Sequence, residues 1–70
     1  MNLAQTPTKS ERLLRLPLVQ DLTGLGRTSI YDAIARGDFP RPAKLGRVSA
    51  WPESEVRRWI DARLAERAAV

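Results

Sequence analysis

The 70-residue sequence contains no cysteine and no histidine. The first absence excludes disulfide staples, and the two together remove the usual zinc-ligand sets. They also take away the side chains that most often serve as nucleophile or general base. Ser, Asp and Glu remain, but in no pairing that suggests catalysis, so no enzymatic activity, cofactor or metal is expected. Long apolar runs are missing as well. Nothing approaches the roughly twenty apolar residues of a transmembrane helix, and residues 1–10 lack the apolar stretch of a signal peptide. A cytoplasmic protein without a membrane partner is the expectation. Lysine is scarce, since ten of the twelve basic residues are Arg.

With 43% hydrophobic and 29% charged residues, the chain has the balance of a globular protein. At this length it forms one small domain that buries only about 60% of its unfolded surface, leaving no room for a deep catalytic cleft. The net charge of +4 and a pI near 10.7 suit a polyanionic partner or simply a basic soluble protein. The arginine bias favours the first reading, because the guanidinium fork matches phosphate and guanine edges. A genome rich in G and C produces the same bias.

Residues 16–37, LPLVQDLTGLGRTSIYDAIARG, are the most informative stretch. Two short amphipathic patterns flank Gly24-Leu25-Gly26, a joint that permits only a sharp corner. Two helices meeting at such a turn form a helix-turn-helix, whose second helix can lie in the DNA major groove. The first helix is expected to begin near Pro17, where a missing N–H costs nothing, and to stop at Gly24. Val19 and Leu22 fall on its inner face, and Leu25 plugs the corner. The second helix is expected from Arg27 to Arg36, with Gly26 as N-cap, Ile30 and Ile34 as its buried edge, Ala33 beside them and Gly37 as its stop.

The flanks are simpler. Residues 1–10 read as a flexible arm. The stretch 11–16 is a strand or an extended lead-in whose leucines, Leu13, Leu14 and Leu16, pack under the first helix. Phe39-Pro40-Arg41-Pro42 cannot be helical. Ala43-Lys44-Leu45 and Val48-Ser49-Ala50-Trp51 then form a small hairpin around Gly46-Arg47. A last helix starts at Pro52, opened by Glu53 and Glu55, with Val56, Trp59, Ile60 and Leu64 as a buried stripe and fraying at 68–70. The domain proper is therefore 11–67. The fold class is mainly α with a small β-hairpin wing, a winged helix-turn-helix.

If Ile30 and Ile34 face inward, the outer face of the second helix carries Arg27, Thr28, Tyr31, Asp32 and Ala35, with Ser29 and Arg36 on its flanks. Arg27 is assigned to a base edge or a nearby phosphate. Thr28 and Ser29 suit phosphate at the helix N-terminus. Tyr31 either contacts DNA through its hydroxyl or packs against the wing as a structural aromatic. Asp32 either accepts from a cytosine amino group or pairs with Arg36 one turn on. On the hairpin, Arg41, Lys44 and Arg47 suit backbone or minor-groove contact, or simply block a sheet edge. Phe39, Trp51 and Trp59 are read as core.

The stretch RLLRLPLVQDLTGLGRTSIYDAIARGDFPRPAKLGRVSAWPESEVRRWI, residues 12–60, resembles the AlpA family of phage and prophage regulators, relatives of small excisionases in the MerR-like winged-helix group. LTGL, SIY, GDFP-x-P, KLG, the Trp51 strand end and SEV-x-x-WI carry the resemblance. It implies a MerR-like winged helix-turn-helix and non-enzymatic binding of double-stranded DNA through the second helix and wing. The residues so implicated are Arg27, Thr28, Ser29, Tyr31, Lys44 and Arg47. The chain departs from the family pattern in having Gly26 for a Ser cap, Asp32 for a basic or polar residue, and one Gly46 for a Gly pair.

Two roles share this fold: a transcriptional regulator, for example of an integrase gene, and an excisionase that bends attachment-site DNA for an integrase partner. A third reading is a basic module that binds an acidic protein and ignores DNA. About five phosphate contacts would give a log K against log salt slope near −4.5, which the third reading lacks. One module covers only about 600–1,000 Å² on DNA, so action through several copies, by dimerisation or adjacent binding, is expected.

Overall fold

The computed structural model describes residues 11–69; the arm expected at 1–10 and the last position of the expected frayed end, Val70, lie outside them. The order is β1 (Leu13–Arg15), α1 (Leu16–Thr23), α2 (Arg27–Ala35), β2 (Ala43–Leu45), β3 (Val48–Pro52) and α3 (Glu53–Ala69). This is a mixed small domain of the winged-helix type: three helices and one antiparallel sheet in the order β1-β3-β2.

The hairpin is therefore not free-standing. The stretch left open as strand or lead-in is a strand: Leu14 pairs with Trp51 and Arg15 with Ala50, while Lys44 pairs with Ser49 on the other side of β3. Strand alternation decides the fate of the leucines. Leu14 is fully buried, whereas Leu13 points outward and is 46% exposed, so it does not pack under α1 as expected.

The helix-turn-helix corner forms at the glycines that predict it. Gly24 takes the left-handed conformation (φ 76°) and its N–H returns to Gln20 O at 2.7 Å. The Thr23 hydroxyl secures the same corner, donating to Val19 O and accepting from Leu25 N–H. Gly26 is the N-cap of α2, in extended conformation. α1 itself starts at Leu16, one residue before the expected proline.

Leu14, Val19, Ile30, Ala33, Phe39, Trp51 and Val56 form the core, with Leu16, Leu22, Leu25, Ile34, Trp59 and Ile60 packed around it. Trp51 is its centre: the ring is fully buried, and Nε1 donates to Pro40 O at 2.9 Å, satisfying the polar edge. Phe39 packs edge-on against Trp59 at 4.9 Å. The expected stripe on α3 is shorter than its sequence pattern. Leu64 is 50% exposed, because the helix has run past the core by that turn.

Residues 11 and 12 tie down the start of α3. Glu11 accepts from Ser54 N–H and from its hydroxyl, capping the helix from outside. Arg12 O accepts Glu53 N–H, and its guanidinium holds the Glu53 carboxylate at 2.9 Å. No helix among the described residues is long and apolar enough to cross a membrane.

Candidate nucleic-acid interface

α2 follows the corner, and its outer side is solvent-exposed from Arg27 to Asp32 apart from Ile30. Arg27 and Tyr31 are one turn apart and touch: the guanidinium lies 5.3 Å from the ring centroid. The Tyr31 ring leans in turn on Trp51, edge-on at 6.3 Å. The contact is the one that the packing alternative for Tyr31 expects. The Tyr31 ring rests on the core, yet 36% of the residue stays accessible.

A concave groove opens beside this pair. Arg15, Leu16 and Pro17 form one wall, Arg27 and Tyr31 another, and Lys44, Arg47, Val48 and Ser49 the third. Among the described residues, four cations line it and no carboxylate does. The N-terminus of α1, with its positive end, adds to the same potential. Lys44 Nζ donates to Ser49 Oγ across the hairpin at 3.0 Å, which steadies the ammonium without neutralising it.

Of the residues expected on the interface, Arg27, Tyr31, Lys44 and Arg47 come together in this groove. Thr28 and Asp32 form the next row of α2 and line a shallow concavity with Arg27 and Tyr31. Ser29, Arg36 and Arg41 are exposed but line neither concavity. Arg36 caps the C-terminal end of α2 in place of continuing it.

The expected Asp32–Arg36 pair does not form. Arg36 turns to Asp38, at 3.6 Å. Asp38 also receives Arg63 at 2.8 Å, while its carbonyl accepts Trp59 Nε1 at 2.6 Å. The turn after α2 therefore collects the C-terminal cations, and Asp32 has no ion pair among the described residues.

Arg15 is the groove residue that sequence reasoning missed. One signal was available: in a strand with Leu14 inward, its neighbours Leu13 and Arg15 must both face outward. What the alternation could not supply was the pairing of β1 with β3, which sets Arg15 beside the hairpin.

Residues 12–64 match the family described as prophage CP4-57 regulatory protein (AlpA). The chain is 47% identical over 58 residues to a protein of Enterobacteria phage P4 described as "Uncharacterized protein ORF88", covering 81% of this chain and 66% of that one. It is 41% identical over 59 residues to the "DNA-binding transcriptional activator AlpA" of Escherichia coli (strain K12), covering 74% of this chain and 84% of the relative. No solved structure matches.

Proposed function

Because the chain belongs to the AlpA family of prophage regulatory proteins, we propose that it is a sequence-specific binder of double-stranded DNA that regulates transcription on a phage or other mobile element, with an integrase gene as a target. The groove of Arg15, Arg27, Lys44 and Arg47, free of acidic side chains among the described residues, carries this reading. Cations from the start of α1, the start of α2 and the hairpin line one surface, as a protein needs when it grips phosphates on either side of an inserted helix. α2 then enters the major groove by its N-terminal turns, and the hairpin lies along the neighbouring backbone.

An excisionase that bends attachment-site DNA would use the same surface. The description of the Escherichia coli relative as a transcriptional activator favours regulation. A domain of this size covers about 600–1,000 Å² on DNA, little for finding one site in a genome, so adjacent copies act together.

Footprinting on the DNA around the protein's own gene, including any neighbouring integrase promoter and attachment site, tests the reading. Protection at a promoter supports it. Several spaced repeats protected at the attachment site alone replace it with the excisionase role. No protection at low or moderate salt overturns both.

A further inference from the structure

Asp32 is an acidic residue on the outer face of a helix whose neighbouring row lines a groove with four cations. On a surface pressed against phosphates, such a carboxylate would repel the ligand. A salt bridge would explain its presence, and the sequence offers Arg36 at the right spacing. That explanation fails in the structure, because Arg36 pairs with Asp38 and leaves Asp32 without an ion-pair partner among the described residues. Packing does not explain it either, since Asp32 is exposed.

The two rows of α2 differ in chemistry. The Arg27–Tyr31 row borders the cations of β1 and the hairpin. The Thr28–Asp32 row lies one step around the helix, off that groove, in the concavity it shares with the first row. Arg27 lies over the Tyr31 ring and lines both the cationic groove and the concavity that holds Asp32. The cations gather on the groove beside the Arg27–Tyr31 row, and Asp32 lies outside that groove.

We propose that Asp32 is a specificity-determining residue that reads a cytosine in the major groove, its carboxylate accepting a hydrogen bond from the N4 amino group. The inference rests on the proposed DNA-binding function and assigns a base-reading role within it. A carboxylate is acceptor-only, so it is repelled by the N7 and O6 acceptors of guanine and by the O4 of thymine. Adenine offers an amino group but sets the N7 acceptor beside it. Cytosine presents a donor alone. The same carboxylate weakens attachment to DNA that lacks the cytosine, because it sets a negative charge against the polyanion with no hydrogen bond in return.

Selection of bound duplexes from a randomised pool, with the parent protein and with Asp32→Ala and Asp32→Asn, tests this. The parent protein should prefer C·G at one position by about fivefold or more over other pairs, the low end of what a base-edge contact supplies. Asp32→Ala should lose that preference, keep the others, and bind non-specific duplex more tightly. Asp32→Asn should move the preference to adenine, whose N6 and N7 suit an amide. Circular dichroism confirms that the variants fold, as expected for an exposed side chain. A preference profile unchanged in both variants overturns the role of Asp32 while leaving DNA binding intact. Failure of the parent protein to select any sequence overturns the DNA-binding reading, and this inference with it.

Discussion

The Arg27 guanidinium lies over the Tyr31 ring, 5.3 Å from its centroid, and that ring in turn meets the buried Trp51 edge-on at 6.3 Å. A surface cation is thereby coupled to the centre of the core through one aromatic side chain. Arg is costly to immobilise because of its rotamer freedom, and the ring does part of that ordering before any ligand arrives.

Tyr31→Phe and Tyr31→Ala should therefore part company. Phe keeps the edge contact and the cation–π partner, so stability and the salt dependence of DNA binding should stay near the parent values. Ala removes both contacts, and thermal or urea denaturation should show a loss of about 1–2 kcal/mol. DNA affinity should fall as well, because Arg27 is released. Equal losses for Phe and Ala would place the effect in the hydroxyl instead.

Arg15→Gln tests the residue that strand pairing adds to the groove. Loss of one phosphate contact reduces the log K against log salt slope by about 0.9. The same change at Arg36, which is engaged with Asp38 away from the groove, should leave the slope unaltered. Fluorescence anisotropy across a salt series measures both, and identical slopes for the two variants would exclude Arg15 from the interface.

At the corner, Gly24→Ala isolates backbone strain from packing. Gly24 has φ 76°, and a Cβ there would meet nothing within 4 Å. The cost is then conformational alone, about 1–2 kcal/mol by urea denaturation. Gly26→Ala, at a position with φ −79° and equally open space, should cost less. The reverse order would mean that the corner is not held by the left-handed residue.

Glu53 supplies a pH dependence. The Arg12 hydrogen bond, joined by Arg57, holds its carboxyl below the usual carboxylate range against the opposing effect of partial burial. A lowered folded-state pKa means that the unfolded chain binds more protons. The stabilisation is therefore complete above the unfolded value of about 4.3 and is lost as pH falls through the folded value. Glu53→Gln should melt earlier than the parent protein at pH 7, with the gap closing as the pH drops below about 4. A constant gap from neutral pH to pH 3 would contradict the ion-pair account.

Much of this architecture was legible in local sequence because local physics decides it. Gly24-Leu25-Gly26 admits only a corner, Gly46-Arg47 closes a hairpin between two short apolar stretches, and the spacing of Ile30, Val56 and Ile60 marks inner faces. The rest depended on partners distant along the chain. β1 pairs with β3 from Leu13–Pro52 to Arg15–Ala50, and that pairing places Arg15 in the groove and brings Glu11 and Arg12 to the start of α3. Periodicity gives Leu64 the inner face of α3, but whether anything lies there to cover it depends on where the core ends. Arg36 had two acids within reach by sequence spacing. The geometry of the turn after α2 selects Asp38 over Asp32.

On the proposed function, Arg15, Arg27, Lys44 and Arg47 form one phosphate-binding surface. Its most direct test is the salt dependence of binding to duplex DNA carrying the footprinted site, measured for the parent protein and for a variant with all four changed to Gln. Four to five phosphate contacts predict a slope of log K against log salt between about −3.6 and −4.5 for the parent protein, and a nearly flat line for the variant. A shallow slope for the parent protein, without preference for the site over unrelated duplex, would contradict the account and return the protein to the class of basic modules that bind acidic proteins.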